Sequence, residues 1–346
     1  MDARLQKRNF GIDLARALAI LGVLLVHTST DGYQNAVGSF DWWGAILWGA
    51  LCRRNVPLFL MCSGAILLSP NRELSLKKLW LHNLLRVLVA LLAWAMIFKV
   101  YHLIKLGEFS GAALWQGFKE TLLFKQEWHL YYLQIILLVY AWLPVTRLVA
   151  AHATRRQLEY TLAVWFACGI LYPTLKPFWP FNLLYGIPSQ WLLNMTYAAI
   201  GYGLLGHYLR TYPLSWRLSA CLTGAASLFL LLGTWLMSLR QGSTYTGFFE
   251  GMSVGPALLG AGVFGLCLSV KRTPLRALGW ITTQLSRGSL CIYVCHAFFL
   301  ETFAIGRLPG LPTLLSIPLL ALGNLALCYV IYFLLSKIPV VKKWLV

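Results

Sequence analysis

Apolar runs of membrane length recur along this chain, and they settle its solvent before any motif does. Leu79 to Phe98, Leu130 to Val149, Leu218 to Leu239, Gly255 to Val270 and Ile317 to Leu335 each span, or nearly span, a hydrocarbon core ~30 Å thick. Less uniform stretches lie at Ile12 to His27, Trp42 to Leu68, Gln157 to Tyr172, Leu192 to Leu209 and Leu285 to Phe303. The expected fold is therefore an all-α integral membrane protein, a polytopic bundle of about ten transmembrane helices forming a single domain. With 59% hydrophobic and 12% charged residues, the 346-residue chain lies well outside the soluble average. Asp13 and Arg16 interrupt what would be the apolar core of a cleavable signal, so the first run is expected to remain as a helix.

Lysine and arginine set the expected orientation. One set of segments carries Arg4, Lys7 and Arg8; Arg72, Lys77 and Lys78; Arg147, Arg155 and Arg156; Arg210 and Arg217; Lys271, Arg272, Arg276 and Arg287; and Lys337, Lys342 and Lys343. The opposite set holds only Lys99, Lys105, Lys119, Lys125, Lys176, Arg240 and Arg307. Basic residues concentrate on the cytoplasmic side, which predicts both termini there. The net charge of +18 is then a topology signal and an attraction to anionic membrane lipid. Its dispersal over short segments argues against nucleic acid as a partner.

The eight cysteines lie in apolar segments, where a thiol acts as a small hydrophobe. Cys291, Cys295 and His296 fall short of the four ligands of a structural zinc site, and no metal is expected. Gly107 to Lys125 mixes aromatic and charged residues in the pattern of an amphipathic helix on the outer surface. Trp42 and Trp43 suit an interfacial aromatic belt.

Chemistry must come from ionisable groups at membrane depth, where each is costly. Arg16 and His27 are eleven residues apart, which returns them to nearly the same helix face about 16 Å apart along the axis. Asp13, three residues before Arg16, is placed to pair with it. Two plainer readings stand beside this: Asp13 and Arg16 as headgroup anchors, and His27 as a polar residue satisfied by a neighbouring helix. Further polar residues accumulate: Arg53 and Arg54 before Pro57 in the second run, Arg86 in the third, His129 after Glu127 and Trp128 at the start of the fourth. Tyr293 and His296 share a face, with Glu301 beyond them.

These residues carry a resemblance. Ile12-Asp13-Leu14-Ala15-Arg16 leading to His27, then Val56-Pro57-Leu58-Phe59-Leu60-Met61-Cys62-Ser63-Gly64, then Trp128-His129-Leu130-Tyr131-Tyr132, then Ser289-Leu290-Cys291-Ile292-Tyr293-Val294-Cys295-His296 resemble, in order and spacing, the acyltransferase 3 family of multi-pass membrane acyltransferases. The wording around Val56 to Gly64 and the lack of an extra soluble domain are most similar to the enterobacterial common antigen O-acetyltransferase type. The resemblance implies transfer of an acyl group, usually acetyl, from cytoplasmic acyl-CoA to a hydroxyl of a cell-surface or polyprenyl-linked carbohydrate, in a bacterial inner membrane. The family commonly has two arginines flanking two other residues on the third helix. Here the stretch reads Asn83-Leu84-Leu85-Arg86, so either Asn83 and His82 act as neutral donors or Lys77, Lys78 or Arg16 holds part of the phosphate charge.

On this reading Arg16 and Arg86, with Asp13, form the cofactor-binding end, since guanidinium suits phosphate oxygens. His27 is the general base, or alternatively a nucleophile that carries the acetyl group transiently. Asp31, four residues on, would orient it only if the helix persists. His129, Tyr293 and His296 are candidate donors to the thioester oxygen, and Glu127, Glu250 and Glu301 candidate sugar contacts. A secondary transporter is the alternative from another class, although related halves with matched broken helices are not evident. A metal-dependent glycosyltransferase lacks its paired aspartates.

Overall fold

The computed structural model describes residues 9–70, 74–271, 275–302, 308 and 310–346. Arg4, Lys7, Arg8, Arg72, Arg272 and Arg307 of the charge pattern lie outside the described residues.

All regular structure among the described residues is helical, as a lipid-embedded backbone requires, because peptide groups in hydrocarbon must pair within their own segment. The long helices are α1 (Phe10–Ser29), α2 (Phe40–Cys52), α3 (Asn55–Leu67) and α4 (Leu76–Lys105). The amphipathic α5 (Gly111–Leu122) follows, then α6 (Tyr131–Ala141), α7 (Leu143–His152), α8 (Arg155–Leu175) and α9 (Met195–Thr211). The chain closes with α10 (Trp216–Gln241), α11 (Val254–Ser269), α12 (Arg276–Thr302), α13 (Thr313–Leu335) and the short α14 (Pro339–Trp344). Among the described residues seven helical stretches are long and apolar enough to cross a membrane, or eight if α6 and α7, bent by 54°, form one span. The protein is a multi-pass membrane protein.

That count is lower than the expected ten because two of the long helices are atypical. The α9 helix has only 17 residues, and α12 carries Arg276, Arg287 and Glu301 along its length. The second run is also not one straight helix: it breaks at Arg53 and Arg54, between α2 and α3. Pro57 sits in the first turn of α3, where its missing N–H costs nothing, so it starts a helix and does not bend one.

The α1 helix is central. Asn9 caps it by accepting from the Ile12 amide at 3.2 Å, and it packs against α2, α3, α11, α12 and α13. Elsewhere helices meet through small residues. A Cβ at Gly64 would overlap the Gly203 carbonyl and one at Gly206 the Met61 carbonyl, so α3 and α9 approach to backbone contact. The expected amphipathic helix exists as α5, capped by Ser110 and tied to α4 by Lys99–Glu120 at 3.1 Å. Its Trp115 and Phe118 stay exposed. Trp42 departs from the expected belt: it is fully buried, and its indole N–H donates to Thr244 Oγ1 at 2.8 Å.

Candidate active site

At the end of the bundle where α1 begins lies a cavity of about 270 Å³. Arg16 from α1, His82, Asn83 and Arg86 from α4, and Arg287 from α12 supply its polar wall. Phe59, Tyr132, Leu133, Ile136, Leu290 and Tyr293 supply its apolar one. Three guanidinium groups around a cavity of mixed lining suit an anionic head joined to a thinner, less polar arm. Residues Leu79–Leu84 form a π-helical stretch at the start of α4. The wider turn brings the neighbours His82 and Asn83 to the same cavity as Arg86, so these two residues stand where the missing arginine was expected.

Arg86 is not free. Its guanidinium donates to the main-chain oxygen of Val346, and Trp94 Nε1 donates to the Leu345 carbonyl at 3.2 Å, so the segment after α14 closes against α4 beside the cavity. Among the described residues Arg16 has no ion-pair partner. The expected Asp13–Arg16 pair is thus replaced: Asp13 is buried and accepts a hydrogen bond from Ser286 Oγ at 2.7 Å, tying α1 to α12. Asp13 does not line the cavity and acts as a brace beneath it.

His27 lies toward the other end of α1, half-buried and outside that cavity. Its ring stacks on His296, with centroids 5.2 Å apart and planes 26° from parallel. The Trp128 ring meets it edge-on at 4.6 Å. His129 is 5.3 Å from His296, and Tyr293 is 6.0 Å from it. The sequence-predicted residues His27, His129, Tyr293 and His296 are therefore brought together from α1, the turn before α6, and α12.

Hydrogen bonding fixes what each can do. A main-chain carbonyl only accepts, so His296 Nδ1, 2.6 Å from the Tyr293 carbonyl, carries the proton, and Nε2 keeps its lone pair. His129 Nε2 likewise donates to the Val294 carbonyl at 3.2 Å, leaving Nδ1 as the acceptor. Both remaining nitrogens are buried without a partner. The hydroxyl of Tyr293 donates to the His129 carbonyl. In these neutral tautomers neither histidine has a hydrogen to offer a thioester oxygen, and the tyrosine's is engaged. The two free nitrogens can each accept a hydrogen bond in this arrangement.

Two expected contacts lie elsewhere. Glu301 is held 2.7 Å from His102 Nε2 on α4, and His102 Nδ1 faces Glu127 at 3.5 Å, so the carboxylates clamp α4 to its neighbours. Asp31 is exposed in the 3₁₀ turn Thr30–Gln34 that ends α1, where it does not continue the helical face of His27. Two cations had no assigned role in the sequence. Arg287 reads there as one more cytoplasmic lysine-or-arginine marker, yet it lines the cavity. Arg53 places its guanidinium 4.9 Å over Phe249 and 3.4 Å from the Tyr33 hydroxyl, which is 3.0 Å from Ser29 Oγ on the His27 end of α1. Its position inside a membrane-length segment was the available signal.

The site thus joins a central helix, cations at one of its ends and a packed cluster of histidines at the other, within a multi-pass bundle. The model of the acyltransferase 3 family, an acyltransferase domain, matches residues 9–333, and the chain belongs to that family. The protein is an acyltransferase. No curated protein and no solved structure matches the chain.

Proposed function

We propose that the protein is an O-acetyltransferase of a bacterial inner membrane, moving acetyl from cytoplasmic acetyl-CoA to a hydroxyl of a cell-surface or lipid-linked carbohydrate. The observation that carries this is the division of α1: Arg16 faces a three-arginine cavity at one end, and His27 meets His296 and Trp128 at the other. Counting α9 and α12 with the eight apolar spans gives ten, an even number that leaves both termini on the cytoplasmic side, where the basic residues concentrate. The similarity to the enterobacterial common antigen type favours a surface glycan as acceptor.

Arg16, Arg86 and Arg287 hold the phosphates of the donor, with His82 and Asn83 as further hydrogen-bonding partners. The acyl arm runs along the apolar wall toward Tyr293. His27 takes the proton from the acceptor hydroxyl as its oxygen attacks the thioester carbonyl carbon. The C–S bond breaks, the acceptor oxygen keeps the acetyl group as an ester, and the CoA thiolate takes back the proton. Imidazole does this near neutral pH without help from a metal. A variant of the scheme has His27 itself attack the thioester and pass the acetyl group to the hydroxyl. The unpartnered nitrogen of His296, in the ring stacked on His27, sets a second lone pair beside the imidazole that handles this proton. Family membership favours this enzyme over the transporter alternative.

Membranes carrying the protein, supplied with acetyl-labelled CoA, test the proposal. Label should enter a glycan or glycolipid and should be lost in His27→Ala. Undiminished transfer by that variant would remove His27 from the mechanism.

A further inference from the structure

A second, larger hollow of about 430 Å³ lies at the His27 end of α1. Thr30, Gln34 and Asn35 from the turn after α1 form one wall, and Ser243, Thr244 and Thr246 from the loop between α10 and α11 form the other. Neither wall carries an acidic or basic side chain, which is informative in a chain of net charge +18. An anionic ligand would find no cation here and a cationic one no carboxylate. Hydroxyl, amide and main-chain groups instead offer donors and acceptors in mixed order, the requirement of an uncharged, hydroxyl-rich ligand.

The hollow is preformed. Thr244 Oγ1 donates to the Tyr33 carbonyl at 2.6 Å and accepts from the buried Trp42 indole at 2.8 Å, locking the two loops together. Asn35 Nδ2 donates to the Gly32 carbonyl at 2.8 Å, which fixes the turn itself. A rigid site of this size falls within the ~300–1,000 Å³ range of small-molecule pockets and loses little entropy on binding. Thr30 follows His27 by three residues, so the hollow opens within about one helical turn of the proposed base.

We infer that this hollow binds an uncharged sugar residue of the acceptor, next to the residue whose hydroxyl is acylated. Its role as an acceptor subsite rests on the proposed acyl transfer, whereas the binding itself does not. Recognition of a neutral neighbour would select the glycan, and the histidine cluster would select the hydroxyl.

The full chain in detergent, applied to an array of neutral and uronate- or sialate-containing oligosaccharides, tests this. The protein should retain neutral oligosaccharides. Ser243→Trp and Thr246→Trp, which fill the hollow from exposed positions, should weaken retention about tenfold or more, with thermal unfolding compared to establish that the variants are folded. His27→Ala should retain the same oligosaccharides as the parent. Retention of anionic glycans alone, equal retention by the filled variants, or no retention would each overturn the inference. If the Trp variants lose glycan while His27→Ala still transfers acetyl, the binding site stands and the catalytic role of His27 falls.

Discussion

His27 and His296 stack with ring centroids 5.2 Å apart, and the Nδ1 proton of His296 is committed to the Tyr293 carbonyl. One imidazole of the pair is half-buried, and the other is buried with its tautomer fixed. His27→Ala removes the proposed base, and the expected loss in transfer is roughly 10²- to 10⁴-fold. Acetyl transfer to membrane glycan, measured at matched protein levels, checks it.

His296→Phe keeps an aromatic ring beside His27 and deletes the unpartnered nitrogen. Asn324 binds the main-chain oxygen of residue 296 at 3.1 Å, so that anchor survives the change. Transfer should fall by about a hundredfold, the lower end of what a proton-handling group supplies. Unaltered turnover would reduce His296 to a packing residue.

At the other end of α1, Arg16→Ala or Arg287→Ala should act on the donor. Loss of one charged hydrogen bond of about 1.5–3 kcal/mol corresponds to a rise of about 10- to 150-fold in the KM for acyl-CoA, with kcat less affected. A truncated donor without its nucleotide phosphates should show no such difference between variant and parent. A change confined to kcat would place these arginines outside the donor site.

Gly64→Ala and Gly206→Ala test the packing that holds the bundle. Each new methyl would meet main-chain atoms of the facing helix, which cannot swing aside as a side chain can. Separation of α3 from α9 should cost about 1–3 kcal/mol per substitution. A lowered unfolding temperature in detergent is the readout, and unchanged melting would contradict the contact.

The amphipathic helix α5 should respond to acid. The hydrogen bond from Lys99 holds the Glu120 carboxyl below its usual range. A depressed carboxyl pKa stabilises the docked helix at pH above the ordinary value of about 4.3, and the contribution is lost as pH falls through the depressed one. The protection factors of the Gly111–Leu122 amides, with exchange corrected for its intrinsic pH dependence, should therefore fall in acid, and Glu120→Gln should abolish that fall.

Much of this architecture is legible in the sequence because membrane length and helix period are local properties. Ile12 to His27 falls within α1 (Phe10–Ser29), and Tyr293 and His296, which share a face in sequence, lie with ring centroids 6.0 Å apart. What escaped is set by other helices. Whether Asp13 pairs with Arg16 depends on Ser286, 273 residues away in sequence. Arg287 looks like a topology marker until α12 packs against α1. His129 is turned to the Val294 carbonyl of a facing helix, a contact no spacing rule encodes, whereas His296 is bonded to the Tyr293 carbonyl one turn back on its own helix.

Tyr293 lines the arginine cavity with its ring and reaches the histidine cluster with its hydroxyl. In the proposed scheme it would stand between the cytoplasmic donor cavity and the acceptor side of the bilayer. A transferase that works across a bilayer must let an acyl chain past this point without letting ions or protons follow. A smaller residue at position 293 would therefore be expected to impair energy conservation in the whole cell, a penalty separate from any loss of catalysis.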